Sequence, residues 1–159
     1  MTHRITDPAA DARRRRALGW GLECALITPG ADIGRDLVLR PDAGGRNQLA
    51  VVEGIENLAQ GLQIAFTTAL GSDVFNVEFG FDGLRALVEE TDPRLVRERG
   101  RVSAAQVLRG DQRVRRIVDL QLPDADPGDA DARRTVTVRC MFEAVSGDPV
   151  TLSINGVVS

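Results

Sequence analysis

The chain has 159 residues and a formal net charge of −3, a length that suits one domain with a buried core. All 20 basic residues are arginine and His3 is the one histidine, so P-loop and Schiff-base lysines, histidine triads and histidine metal sites have no credible member. Cys24 and Cys140 lie far apart in sequence and read as buried thiols in a reducing compartment, which leaves no cofactor or metal to expect.

Residues 1–16, MTHRITDPAADARRRR, read as a disordered basic arm that stays solvated unless a neighbour orders it. No apolar stretch follows the arginines directly, as a secretory signal requires, and no run approaches the ~20 residues of a membrane span. Cytoplasmic synthesis is the expectation. Residues 17–159 read as a single domain. Its first part is short apolar pieces cut by Gly and Pro: ALGWGLECALITPG, then RDLVLR with Leu37 and Leu39 in alternation. These suit extended segments or a small edge strand. RPDAGGRNQ (40–48) is a loop by composition.

Val52, Ile55, Leu58, Leu62, Phe66 and Ala69 recur at steps of three and four, which predicts a helix over 52–70. Gly54 and Gly61 each cost such a helix about 1 kcal/mol relative to Ala, so close packing is expected there. In the following stretch, FTTALGSDVFNVEFGFDG (66–83), Gly71 stops the helix, while Phe75 and Phe79 are expected to staple the loop to the core. A second helix is predicted over 82–90 with Asp82 as cap, and a third over 92–109, where Asp92 and Pro93 form the start signal. Gly100 marks a candidate kink. The period then changes to two, predicting strands at 114–122, 134–145 and 150–154, with the acidic segment 123–132 as the long connection. The fold class is α+β: three helices packed on a small antiparallel or mixed β-sheet.

Three chemical readings can be weighed on residue types. A glycan hydrolase needs two carboxylates across a cleft, one with a raised pKa. Glu53, Glu56, Glu78, Glu89, Glu90 and Asp73 are available, but aromatic platforms for a sugar are scarce, and the chain reads as a non-enzyme. Nucleic-acid binding is suggested by RRRR and by eight arginines between 94 and 116, yet helical spacing spreads these around the axis. Calcium binding by DADPGDAD fails on spacing, because the twelfth position from Asp124 is Thr135 and not Glu.

GIENLAQGLQIAFTTALGSDVFNVEFGFDGLRAL followed by VSAAQVLRGDQRVRRIVDLQL resembles the phage baseplate wedge family historically called "early lysozyme". Its relatives include baseplate subunits of type VI secretion systems and of extracellular contractile injection particles. The family's Leu-Gly-x-Gly stretch is matched by Leu18–Gly21, its helix-ending turn by Thr68 and Gly71, and its aromatic-Gly pair by Phe79 and Gly80. Its Glu-Pro-Arg motif corresponds to Asp111, Gln112 and Arg113, with the proline lost.

The resemblance implies a structural, non-enzymatic role and a fold similar to the strand-exchange domain of contractile sheath proteins. A partner strand would be added to an exposed edge of the 134–154 hairpin. The implied partners are the sheath protein, other wedge subunits and inner tube or hub proteins, in a multi-copy, six-fold ring. Such an assembly forms in the cytoplasm, as part of a particle that is released in some systems, with neither membrane nor nucleic acid as a partner. The partner-binding candidates are Asp111, Arg113, Val136, Val138, Thr151 and Ser153. Arg113 is expected to make a charge-assisted contact, either with Asp111 or across an interface.

Overall fold

The computed structural model describes residues 7–26, 35–123 and 135–157. Residues 1–6 of the basic arm and residues 124–132 of the acidic segment lie outside these. The fold is α+β. The chain falls into two compact units, Met1–Gln60 and Gly61–Ser159.

In the first unit the chain opens with a helix, α1 (Pro8–Leu18), over residues expected to be disordered. Local signals explain it: the Asp7 carboxylate accepts the Ala9 N–H, Pro8 supplies a preset first turn, and Gly19 at φ +72 ends the helix. Gly21 has a different task, since a Cβ there would stand 2.7 Å from the Asn57 amide oxygen. The Leu-Gly-Trp-Gly stretch thus turns the chain out of a helix and makes room for a side chain from the next one.

Six three-residue strands follow: β1 (Trp20–Leu22), β2 (Cys24–Leu26), β3 (Arg35–Leu37), β4 (Leu39–Pro41), β5 (Asn47–Leu49) and β6 (Val51–Glu53). They are halves of three longer extended segments, each of which changes partner at its midpoint. β1 pairs with β6, β2 with β3 and β4 with β5, all antiparallel. At the three switch points the backbone closes a ring. The Val38 N–H donates to the Glu23 carbonyl, the Glu23 N–H to Ala50, and the Ala50 N–H to Val38, at 2.8–2.9 Å. Alternation then places Ala50 and Val52 inward and Trp20, Leu22, Leu37, Leu39, Leu49 and Val51 on one outward face, with Trp20 66% exposed.

Helix α2 (Gly54–Thr67) begins two residues later than expected because Val52 and Glu53 finish β6. Asn57 donates to the Leu18 carbonyl, while Gln60 accepts from the Cys24 N–H and donates to the Leu22 carbonyl, each near 3 Å. These side-chain amides are bound to the strand backbone and the end of α1. At the other end of α2, the Thr67 hydroxyl donates to the Gln63 carbonyl at 2.9 Å, and the Thr68 hydroxyl and N–H both donate to the Ile64 carbonyl.

The second unit adds α3 (Gly83–Glu89), α4 (Pro93–Gly110) and the strands β7 (Val114–Gln121), β8 (Thr135–Ala144) and β9 (Pro149–Val157), an antiparallel sheet in the order β7-β8-β9. Asp92 caps α4 as expected. Asp82 sits at the start of α3 without capping it, since its carboxylate is taken by a fork from Arg99, which also reaches Glu89 and Glu90. Gly100 makes no break in α4. It lies flush against Leu122, where a Cβ would come within 2.8 Å of Cδ2.

Val138, Cys140, Phe142 and Ala144 on β8 and Val150, Leu152 and Ile154 on β9 form the inner face of the sheet. They are joined in the unit's core by Leu62, Phe66, Phe81, Ala104 and Leu108. Burial pushes the Cys140 thiol up to about 11, so it behaves as the buried, unreactive thiol expected. Cys24 is only half-buried.

Candidate functional site

The turn from α4 into β7 holds the two charged residues singled out in the sequence. Asp111 ends α4 in an extended conformation, and one of its oxygens accepts the Arg113 N–H at 2.9 Å. The Arg113 side chain folds back on the same carboxylate as a two-pronged fork, Nε to one oxygen at 2.9 Å and Nη2 to the other at 2.6 Å. The Arg113 carbonyl also accepts the Val145 N–H, which ties this turn to the end of β8. Burial works to raise the Asp111 carboxyl, but the Arg113 hydrogen bonds and charge outweigh it and hold the group below its ordinary value.

Arg113 thus makes the intramolecular contact of the two considered. Its guanidinium lies directly over Gly61, where a Cβ would stand 2.8 Å from Nη2. The close packing expected at Gly61 is with this fork. Ala for Gly inside a helix normally adds about 1 kcal/mol of stability. Gly61→Ala is expected to forfeit that gain in the native background and recover it in an Arg113→Ala background. Urea unfolding of the four proteins checks it, and equal effects of Gly61→Ala in both backgrounds would refute the packing argument.

The other candidates divide between two strands. Val136 and Val138 lie on β8, where residues 139–144 pair with β7 while Val136 and Val138 pair with β9. Val138 is also 2% exposed and belongs to the core. Where β7 covers β8, over residues 139–144, the hairpin's open side among the described residues is that of β9 over Pro149–Ser153. The Ala144 N–H donates to the Asp148 carbonyl, so bonded pairs recur at Phe142–Val150, Cys140–Leu152 and Val138–Ile154. Between them, Thr151 and Ser153 turn their N–H and C=O groups away from β8, and both residues are exposed. Pro149, which has no N–H, falls at the same kind of outward position, where a missing donor is tolerated.

Of the carboxylates weighed for acid–base chemistry, Glu53 pairs with Arg15, and Glu89 and Glu90 pair with Arg99. The Arg85 and Arg99 hydrogen bonds hold Glu89 below its ordinary value, the reverse of what a proton donor needs. Asp73 serves a turn by accepting the Phe75 N–H at 2.9 Å. Among the described residues, no cluster of three or more His, Cys, Asp or Glu side chains is arranged to hold a metal. No helix among them is long and apolar enough to cross a membrane.

One surface was missed in the sequence: the outward apolar face of the three-segment sheet in the first unit. Its signal is alternation at Trp20 and Leu22, Leu37 and Leu39, and Leu49 and Val51, split among short extended pieces whose sequence does not show that they share one face.

No family model matches the sequence, and no curated protein matches it. Among solved structures, the fold is similar to that of a "putative tail lysozyme" from Geobacter sulfurreducens, with a TM-score of 0.52 and 15% identity. The match covers 66% of this chain and 91% of the other, and at that identity what the two share is the fold.

Proposed function

We propose that this chain is a structural subunit in the baseplate of a contractile, phage-tail-like injection machine, where the outer edge of β9 accepts a strand from a sheath subunit. The observation that carries this reading is the β9 edge itself: outward backbone donors and acceptors at Thr151 and Ser153 with no strand beside them among the described residues. The phage-tail name of the Geobacter structure and the order of motifs along the chain support the setting. The exposed apolar face of the first unit supports a life in assembly, because soluble monomers rarely leave such a patch uncovered. Other wedge subunits and inner tube or hub proteins are the further partners of this reading, in a six-fold ring assembled in the cytoplasm.

Thr151→Pro and Ser153→Pro test it. Each removes an outward N–H and leaves the β8 ladder intact, so the chain is expected to keep its circular dichroism and melting temperature while sheath polymerisation on the baseplate fails. Leu152→Pro, which deletes an inward bond, is expected to unfold the second unit. Normal-length sheaths on baseplates carrying both outward prolines would sink the proposal.

The same reading makes the chain a non-enzyme, despite the lysozyme name of the similar structure. Glu53, Glu89 and Glu90 are engaged by arginines, and Asp73 is committed to a turn. Turnover of peptidoglycan by the purified chain would overturn this part.

A further inference from the structure

The loop between α2 and α3 presents an apolar tip on a base that the core holds in place. At the base, the Phe81 N–H donates to the Thr68 carbonyl at 2.8 Å, and Ala69 and Phe81 form a parallel bridge. The Phe81 ring is buried edge-on to Phe66, with centroids 5.4 Å apart. The buried Ser103 hydroxyl accepts the Asp82 N–H at 2.8 Å. Gly80 adopts φ +116, and a Cβ there would stand 2.7 Å from the Thr68 carbonyl oxygen. Between these ties the backbone closes its own turns. Ser72 donates to Ala69, Asn76 to the Asp73 carbonyl and Phe79 to Asn76, while the Phe75 N–H goes to the Asp73 carboxylate.

The expected staple is therefore absent at Phe75, which is 97% exposed, with Val74 and Val77 exposed beside it. Phe81 does the stapling. Leaving a phenylalanine in water forgoes about 1.5–3 kcal/mol of burial, and nothing in the fold of this unit recovers it. The loop's own charge is one-sided: Asp73 and Glu78 flank the tip, and no basic residue occurs in the sequence between Arg46 and Arg85.

We infer that residues 73–78 form a preorganised prong, and that its occupant is a pocket on a different protein, apolar at its floor and rimmed by arginine or lysine. The ordering cost of the loop is already met by its internal bonds, so insertion of Phe75 would be expressed as affinity. The acidic flank disfavours both an anionic bilayer and self-pairing of two such tips, and matches a cationic rim. The contact is independent of the β9 edge and stands or falls separately from it.

The test places benzoylphenylalanine at position 75 in the full chain within its native assembly and maps the photo-crosslink by mass spectrometry. The expected attachment is in an apolar pocket of a different protein, with Arg or Lys within one side-chain length. Against that partner, once purified, Phe75→Ser is expected to bind about thirtyfold more weakly with an unchanged melting temperature. Glu78→Gln is expected to flatten the salt dependence of association. Crosslinks to other copies of this chain, crosslinks to lipid, a partner site without cations, or unchanged binding by Phe75→Ser would each overturn the inference.

Discussion

Arg113→Ala is expected to lower the unfolding free energy by about 1–3 kcal/mol, by stranding the Asp111 carboxylate in a half-buried turn without its counter-ion. The figure sits below that for a fully buried pair because both side chains keep some contact with water, 27% for Arg113 and 18% for Asp111. Arg113→Lys should rescue little, since an ammonium cannot reproduce the two-pronged fork on both carboxylate oxygens. Asp111→Asn keeps the acceptor for the Arg113 N–H but loses the charge, so its effect isolates the ionic part.

The pH dependence gives this prediction a second readout. Asp111 is held below its ordinary value of 3.8 in the folded chain. The unfolded chain therefore takes up that proton at higher pH than the folded one. The stabilisation is complete above the unfolded value and is lost as pH falls through the lowered folded value. The stability gap between the native protein and Asp111→Asn should be constant from neutral pH down to the ordinary carboxylate range and then close as acid is added. A gap that stays constant into strong acid would show that the carboxylate is not the stabilising species. Stability and sheath assembly must both be measured on Arg113→Ala, because a destabilised turn at the entry to β7 would weaken assembly without any direct contact to a partner.

What could be read from the sequence followed from how local each feature is. α4 announced itself through Asp92 and Pro93, and β7, β8 and β9 through alternation longer than a single pairing. α1 did not, because Leu18 is its one buried residue and a run of arginines carries no apolar period. The small sheet in the first unit was cut into fragments because each extended segment changes partner midway, at Glu23, Val38 and Ala50. Alternation offers both strands of the 134–154 hairpin as a candidate edge, since strand order is a long-range fact that it does not fix. The Asp111–Arg113 pair was legible as chemistry, and its closure onto Gly61 needed the distance between α2 and the α4–β7 turn.

Phe81→Ala is expected to be the most damaging single truncation in the loop region, at about 3–5 kcal/mol, while Phe75→Ala changes stability little. The two phenylalanines lie six positions apart in one stretch and composition does not separate them. Backbone geometry does. Gly80 turns the chain back over the Thr68 and Ala69 carbonyls, and Gly83 leaves the space the Phe81 ring fills, since a Cβ at Gly83 would lie 2.1 Å from Cζ. Losing the ring removes an edge-on contact with Phe66 and opens a cavity beneath the loop base. Urea unfolding should show the loss, and limited proteolysis should show cleavage within residues 70–79 at rates that rise in step with it. Equal stability losses for Phe75→Ala and Phe81→Ala would contradict the division between tip and anchor. Retained stability in Phe81→Ala with faster cleavage of the loop would mean that the base closes independently of the core.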